Sequence, residues 1–222
     1  MSFILNIDTA VAGASVCLAQ DAVPIGLKAN SEQTESAAWV HTAIQELLKE
    51  QNIALHQLSA VAVSAGPGSY TGLRIGMATA KGLCYVLRIP LIQIHTLQMM
   101  ASSAIQEPTE LLCPMIDARR MEVFTAVYNT RLNEVMPAQP LILQPGSFQD
   151  FLDNATLTFF GNGSAKFHPL MQHPHGFFKN ITTDASHMTR LAYQAFSEKK
   201  FADLAYSEPF YGKAFYSPAV KH

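Results

Sequence analysis

The stretch Ala60-Val61-Ala62-Val63-Ser64-Ala65-Gly66-Pro67-Gly68-Ser69-Tyr70-Thr71-Gly72-Leu73-Arg74-Ile75-Gly76 determines which fold the sequence predicts. Its β-branched apolar beginning predicts a buried strand over residues 60–64. Gly66-Pro67-Gly68-Ser69 predicts a tight turn, because glycine adopts backbone angles that other residues avoid. Thr71 can then cap a long helix that we expect over residues 71–86. A strand, a glycine turn and a helix N-terminus in this order can direct backbone N–H groups at an anion.

The glycine turn does not continue as a P-loop. The Walker pattern needs Gly-Lys-Ser/Thr at its end, and the matching residues are Gly72-Leu73-Arg74. Lys81 lies too far along the predicted helix to replace the missing lysine. The sequence therefore argues against a P-loop NTPase.

Small residues recur at every fourth position of the predicted helix, and such a row lets another backbone come very close. That neighbour is either the chain's own sheet or a second protein, and the pattern alone leaves both open. The row consists of Gly72, Gly76, Ala80 and Cys84.

Composition describes an ordinary globular chain of 222 residues, long enough for one large domain or two small ones. The net charge of −2 argues against a nucleic-acid binder that acts alone, because phosphate contacts need clustered Lys and Arg. Cys17, Cys84 and Cys113 lie far apart without ligand spacing, which predicts reduced core thiols. No apolar stretch approaches the roughly 20 residues that span a bilayer. We expect a soluble, cytoplasmic protein with no membrane association.

Both halves of the sequence begin with the same order of predicted elements. Three short strands, a helix, a strand and a helix open the first half, and three strands, a short helix and a strand open the second. Asp8 and Asp117 each end a first strand, and the glycine turns at 66–69 and 161–164 each follow a later strand. We therefore predict a duplicated, actin-like α/β fold with a cleft between two lobes, residues 1–108 and 109–222. The alternative is an unrelated α/β protein in which these turns coincide.

The predicted elements have the following bounds. Strands are expected at 3–8, 14–20, 24–30, 60–64, 91–94, 112–117, 122–128, 141–143 and 156–160. Helices are expected at 35–51, 71–86, 147–152 and 184–199, with a further helix starting at Thr96.

Four stretches resemble the TsaB (YeaZ) family, and together they extend the resemblance over the whole chain. They are Ile4-Leu5-Asn6-Ile7-Asp8-Thr9-Ala10, the long segment from Gly66 to Leu83, Asp117-Ala118-Arg119-Arg120-Met121-Glu122-Val123, and Pro209-Phe210-Tyr211. The resemblance implies an actin-like fold of the ASKHA, ribonuclease-H-like kind. It also implies a role in making N6-threonylcarbamoyladenosine, the modification beside the anticodon of tRNAs that read codons starting with A.

The resemblance further implies that this chain is not the catalyst. Members of the family pair with the related TsaD subunit, which transfers the threonylcarbamoyl group, and the ATPase TsaE joins that pair. We therefore expect a non-catalytic subunit that scaffolds and activates TsaD, and that meets tRNA only through the complex. The alternative is an actin-like ATPase or kinase, or a metallopeptidase, with activity of its own.

Nucleotide in an actin-like fold would be held by loops near the two aspartates and by a Gly-x-Gly turn. Ala10 stands where active sugar kinases carry glycine, and no lysine or arginine follows in the first hairpin. We therefore expect no resident cofactor, with weak or shared ATP or ADP binding left open, and a plain hairpin-turn carboxylate as the alternative for Asp8. The candidate nucleotide-binding residues are Asp8, Thr9, Gly66, Gly68, Ser69, Asp117, Gly161 and Gly163.

A metal centre is not expected. TsaD-like proteins hold their metal with a His-x-x-x-His pair on one helical face, and the aligned positions here are Thr96 and Met100. Neither side chain replaces imidazole. No Ser-His-Asp order with a nucleophile elbow occurs, so we predict no catalytic residue.

The expected partner surface combines two helices. On the helix at 35–51, the only tryptophan, Trp39, lies on a line turned away from the core stripe, and aromatic anchors favour interfaces. The alternative for Trp39 is that it covers a loop of its own chain. In the TsaB family this helix and the next form the surface for self-pairing and for TsaD, so we expect a homodimer when the protein is alone. The candidate residues are Trp39, Thr42, Ala43, Glu46, Gly72, Gly76, Met77, Ala80, Leu83 and Cys84.

Overall fold

The structure, a computed structural model, describes residues 1–11, 13–30 and 36–212. The strands are β1 (Phe3–Asp8), β2 (Ala14–Gln20), β3 (Val23–Asn30), β4 (Leu58–Ser64), β5 (Leu91–Ile94), β6 (Leu111–Asp117), β7 (Glu122–Asn129), β8 (Glu134–Ile142), β9 (Leu157–Phe160) and β10 (Gly176–Phe178). The α-helices are α1 (Ser36–Glu50), α2 (Tyr70–Leu87), α3 (Thr96–Ser103), α4 (Gln149–Leu152), α5 (Ser164–Phe167) and α6 (Thr189–Ser197). Short 3₁₀ helices occupy Leu55–Gln57 and Ala185–Met188.

The strands form two five-stranded sheets of identical topology. The first has the order β3-β2-β1-β4-β5 and the second has the order β8-β7-β6-β9-β10. In each, the first three strands along the chain pair antiparallel, and the remaining two are added in parallel. The prediction of a duplicated, actin-like α/β fold with two lobes is confirmed.

The first sheet is buried on both faces. Successive side chains of a strand point to opposite faces, so Val61 and Val63 of β4 pack under α1 and α2, while Ala60 and Ala62 face the other side. Burying each valine contributes about 1.5–3 kcal/mol. This explains why β4 is apolar at nearly every position, as central strands of covered parallel sheets are.

Helix α3 joins the lobes. Its Met99 packs with the first sheet, whereas Leu97 and Met100 pack with Leu112 and Ile116 of the second. The cores of both lobes therefore meet at this short helix, which fixes one sheet relative to the other.

The chain returns to the first lobe after the second sheet is complete. Three residues of this returning segment are buried against the face of the first sheet that lies opposite α1 and α2. They are Ala185, Met188 and Ala192. Further along, the Ala202 N–H donates to the Leu91 carbonyl at 2.9 Å. The predicted second lobe, 109–222, is therefore wrong for this returning segment. The physical reason is that α3 alone is too short to cover that sheet face.

Several predicted bounds also shift. Ser69, not Thr71, caps α2, since its Oγ accepts from the Gly72 N–H at 3.2 Å. Strand β8 begins well before the predicted strand at 141–143, because exposed polar residues and prolines of this edge strand hide its pattern. Glu35, the predicted first residue of the first helix, and residues 213–222 of the predicted second lobe lie outside the described residues.

Candidate functional site

The small-residue row of α2 faces the interior of the protein. Gly72, Gly76, Ala80 and Cys84 are all buried. A Cβ atom at Gly72 would clash with the Thr9 carbonyl oxygen, and one at Gly76 would clash with Thr9 Oγ1. Thr9 Oγ1 donates to the Gly72 carbonyl at 2.7 Å. The close approach therefore takes place between α2 and the loop after β1, and the expectation that this row lies on a free, partner-binding face is wrong.

The predicted α1 residues divide in the same way. Thr42 and Glu46 are exposed, and Glu46 pairs with Lys28 of β3 at 3.4 Å. Ala43, like Met77 of α2, is buried in the first-lobe core, so placing these two on a surface line is also wrong. Trp39 is half-buried and packs against the same core, which agrees with its alternative role as a cover for its own chain.

The exposed side of the helix pair carries a different set of residues. An apolar cleft of about 480 Å³ runs between α1 and α2, and its lining includes Ile44, Leu48 and Leu83. Beside it, Ala78 and Gly82 are exposed, and a Cβ at Gly82 would meet nothing within 4 Å. Val86 is 75% exposed. We call this surface, which comprises His41, Ile44, Gln45, Leu48, Ala78, Gly82, Leu83 and Val86, the outer α1–α2 face.

A sequence signal for the outer face exists. Arg74, Ala78, Gly82 and Val86 also recur at every fourth position, two residues out of step with the buried row. Two residues correspond to roughly 200° around an α-helix, so the rows lie on opposite sides. Only one of the rows can face the chain's own sheet, and the burial of the first assigns the second to solvent.

The glycine turn after β4 packs against the chain itself. The Gly66 N–H donates to Thr96 Oγ1 at 3.0 Å, and the Ser69 N–H donates to the Ala10 carbonyl at 2.7 Å. A Cβ at Gly68 would clash with the Ala10 carbonyl, and one at Gly66 with the backbone of Phe210. The nucleotide-binding roles of Gly66, Gly68 and Ser69 stay predictions. The contacts give a structural reason for the two glycines, because a side chain at either position would clash with the protein's own backbone.

Asp8 lies in a polar cluster that the returning segment completes. Its side chain is 5% exposed, and burial raises the pKa of the carboxyl, against the lowering effect of hydrogen bonds from Ser64 and Ala10. The Ala10 N–H donates to Asp8 Oδ1 at 3.0 Å. Nearby, His187 Nδ1 lies 3.3 Å from Asp184 Oδ1. The neighbours of Asp8 are thus groups of its own chain, which include Asp184 and His187.

The second lobe brings its three predicted nucleotide-binding residues together. Asp117 ends β6, and the turn with Gly161 and Gly163 packs against the end of the same strand. Lys166 Nζ lies 2.6 Å from Asp117 Oδ1, and this lysine holds the pKa of the aspartate below its ordinary value. Sequence reasoning missed Lys166, because nothing in its spacing marks it. This lysine already has a carboxylate partner.

The positions aligned with a histidine pair contain structural residues. Thr96 accepts the hydrogen bond of the glycine turn, and Met100 is buried between the lobes. Among the described residues, no group of three His, Cys, Asp or Glu side chains could hold a metal ion. His173 Nε2 lies 3.6 Å from Asp153 Oδ1.

The three cysteines are free and buried, as predicted. Burial raises the pKa of Cys17 and Cys113 to about 12 and that of Cys84 to about 11. Protonated, buried thiols are poor nucleophiles, so they belong to the core. Across the described residues, no helix combines the length and apolar character that a membrane crossing requires.

Comparisons with known proteins agree with these features. A family model described as TsaD, tRNA N6-adenosine threonylcarbamoyltransferase, matches residues 30–207. The chain is 33% identical over 172 residues to the tRNA threonylcarbamoyladenosine biosynthesis protein TsaB of Bacillus subtilis, a match that covers 73% of this chain and 72% of that protein.

Two solved structures show the same fold. One is a Pseudomonas aeruginosa protein described as similar to peptidase YEAZ, with a TM-score of 0.83, 24% identity, and coverage of 96% of this chain and 100% of that chain. The other is the activator of the 2-hydroxyisocaproyl-CoA dehydratase from Clostridium difficile with bound ADPNP, with a TM-score of 0.52, 7% identity, and coverage of 90% and 98%.

Proposed function

The chain belongs to the TsaB (YeaZ) family, and we propose that it acts in N6-threonylcarbamoyladenosine formation as a non-catalytic subunit that binds and activates a TsaD-like transferase. A TsaE-like ATPase and tRNA join through that complex. The observation that carries the proposal is the outer α1–α2 face, which leaves an apolar cleft and the side chain of Val86 exposed. The cytoplasmic location stays a prediction.

The shape of the outer α1–α2 face suits a helical partner. Packed helices lie about 8–10 Å apart, with the shorter distances at small residues. Gly82 supplies such a position, and Leu83 lies beside it at the edge of the cleft.

The same face explains why the protein would pair with itself when alone. A two-fold dimer uses one surface patch twice, so a self-complementary helix pair is sufficient. A transferase of related fold that presents a similar helix pair would then compete for the patch. The homodimer and the heterocomplex are therefore mutually exclusive in this proposal.

Contacts at the other candidate sites support a non-catalytic role. Lys166 is engaged by Asp117, and the first glycine turn is filled by Ala10 and Phe210. A reaction that used Lys166 to hold a phosphate would require the lysine to leave this carboxylate. Thr96 and Met100 form packing and hydrogen-bond contacts where the related transferase is expected to have histidines.

The experiment that tests the proposal introduces a charge into the outer face without touching the core. In Gly82→Arg, the new side chain projects into open space, so the fold should be retained. In an interface, however, it would bury an unpaired charge and hold the helices apart. We expect a monomer by size exclusion with light scattering, and at least tenfold weaker capture of a purified TsaD-like subunit.

A matched control separates this face from the core. Gly146→Arg places the same charge at another exposed glycine, with open space around its Cβ, in the loop before α4. Its positive φ of 85° makes the variant somewhat strained, so circular dichroism should accompany it. Dimerisation and capture that survive in Gly82→Arg, or that are lost equally in Gly146→Arg, would contradict the proposed interface.

A further inference from the structure

A second cleft opens at the far ends of the two sheets from Asp8 and Asp117. Strands β2 and β7 run away from those aspartates and end at this side, where the turns after them approach each other. The cleft has a volume of about 450 Å³. Its walls come from Ala22 in the first-lobe turn, residues 130–132 in the second-lobe turn, the end of α3, and α6. It is therefore separate from every site described above.

Two arginines line this cleft without partners. Arg131 and Arg190 are both exposed, and within the described parts of the chain neither guanidinium has a hydrogen bond or an ion pair. Both are mounted on ordered backbone. Asn129 Oδ1 accepts the N–H groups of Arg131 and Asn133 at 3.0 Å each, which fixes the turn. Arg190 lies in the first turn of α6, whose Ala192 is anchored in the core.

The carboxylate in the cleft forms no ion pair with these two arginines. Glu198 Oε2 lies 2.6 Å from Lys200 Nζ, and Glu198 Oε1 accepts from Gln194 Nε2 at 2.9 Å. Both of its oxygens therefore have other partners. The two guanidinium groups remain free to bind an anion that enters from solvent.

The rest of the lining combines apolar and polar side chains. Ile105 and Leu132 are half-buried against the second-lobe core, and Leu191 and Tyr193 are half-buried against the first. Ser102, Thr130, Gln194 and Ser197 add hydroxyl and amide groups. Small-molecule sites commonly measure about 300–1,000 Å³ and combine apolar walls with a few polar groups. This cleft joins an apolar wall that includes an aromatic ring to two arginines on ordered backbone.

We propose that this cleft binds a nucleoside phosphate, with the phosphate between Arg131 and Arg190 and the base against Tyr193 and the neighbouring apolar side chains. The planar guanidinium matches the geometry of phosphate oxygens and can bind two of them at once. Aromatic side chains stack on nucleobases of any sequence. The proposal does not depend on the role in tRNA modification proposed above.

Isothermal titration with AMP tests the proposal on the full chain. We expect binding that weakens at least tenfold in Arg190→Ala and is lost in the double variant Arg131→Ala/Arg190→Ala. Arg190→Lys should fall between them, because lysine keeps the charge but not the two-pronged contact. Arg88→Ala removes one exposed positive charge outside the cleft and should bind as the original protein does.

Three further ligands distinguish the sources of affinity. Inorganic phosphate and adenosine should each bind more weakly than AMP, since each fills only part of the cleft. A short oligoribonucleotide that binds through the two arginines while AMP does not would show a contact to an RNA backbone and would overturn the proposal. Unchanged AMP binding in the double variant, or an equal loss in Arg88→Ala, would overturn it as well. The outcomes for AMP do not depend on whether Gly82→Arg changes dimerisation or capture of a TsaD-like subunit.

Discussion

Two glycines of α2, Gly72 on its buried side and Gly82 on its exposed side, should respond differently to substitution. A Cβ at Gly72 would collide with the Thr9 carbonyl oxygen, a backbone atom that cannot rotate away. A Cβ at Gly82 would meet nothing. Overpacking of this kind costs about 1–3 kcal/mol, whereas replacing an exposed mid-helix glycine by alanine stabilises a helix by about 1 kcal/mol.

We therefore expect opposite effects of the same substitution at the two positions. Gly72→Ala should lower the free energy of unfolding by about 2 kcal/mol, and Gly82→Ala should raise it by about 1 kcal/mol. Urea unfolding followed by circular dichroism measures both. Equal effects at the two positions would mean that α2 is rotated relative to the arrangement described here.

The pair of Asp184 and His187 makes stability depend on pH in a defined direction. The Asp184 hydrogen bond raises the pKa of His187 above its ordinary 6.5. The contribution of the charged histidine is therefore complete below 6.5 and is lost as pH rises through the raised pKa. Burial works to raise the pKa of Asp184, but hydrogen bonds from His187 and Ser186 outweigh it and hold the pKa at about 2. The aspartate's contribution is present above its ordinary value and is lost as pH falls towards 2.

The expected consequence is a pH-dependent effect of removing the histidine. His187→Gln should lower the free energy of unfolding more at about pH 5 than at about pH 9. Asp184→Asn should show the same window, because it removes the other member of the pair. Urea titrations at both pH values provide the measurement, and a loss independent of pH would show that the two side chains do not interact as charges.

Among the elements, the sequence predicted the strands and long helices well, but it did not predict which neighbours pack against each helix. The four-residue row in α2 correctly indicates close packing, because glycine and alanine leave room for a backbone. It does not say which backbone approaches. The loop after β1 carries no pattern that marks Thr9 as the neighbour, so the inward and outward rows could not be distinguished.

The segment after α6 is an element that sequence patterns do not reveal. It is held by long-range contacts: Lys81 Nζ donates to the Ser207 carbonyl at 3.0 Å, and the Phe210 N–H donates to the Ala65 carbonyl at 2.7 Å. Tyr211 packs on Tyr70 at the start of α2, with ring centroids 5.0 Å apart. Residues more than a hundred positions apart in sequence meet here, and no local periodicity encodes such a meeting.

Loosening this segment should be visible by hydrogen exchange. Lys81→Met keeps the apolar stem of the side chain and removes its donated hydrogen bonds, so we expect faster exchange in peptides that contain the Phe210 amide. Lys179→Met is the matched control, since Lys179 pairs instead with Glu107. Mass spectrometry of the exchanged peptides decides the matter, and unchanged protection in Lys81→Met would show that the backbone and ring contacts suffice to hold the segment.

At the scale of the whole molecule, the duplication was predictable because each lobe repeats the same local signals. Asp8 and Asp117 end equivalent strands, and a glycine turn follows β4 and β9 alike. The return of the chain to the first sheet was not predictable, since no local pattern indicates which sheet Met188 and Ala192 cover. The predicted second lobe therefore included a segment that packs on the first sheet, although the fold was right.

The candidate site residues were also predicted in part. The structure places Gly161 and Gly163 beside the end of β6, where Asp117 lies, and their nucleotide-binding role stays a prediction. Lys166 was missed, and the exposed row of α2 lies two residues away from the predicted one. The Gly-x-Gly turn could be recognised from its spacing alone. Which side of a helix is buried depends on the elements that pack against it, and a single sequence does not identify those elements.

In the proposed function, the outer α1–α2 face activates a TsaD-like transferase. The most direct measurement is threonylcarbamoyladenosine formation on tRNA by purified TsaD-like and TsaE-like subunits, with ATP and an activated threonylcarbamoyl donor, assayed with and without this protein. We predict that product formation requires this protein and drops at least tenfold with Gly82→Arg, while Gly146→Arg supports it fully. Product formed equally well without this protein, or with Gly82→Arg as with the original chain, would show that this face does not activate the transferase.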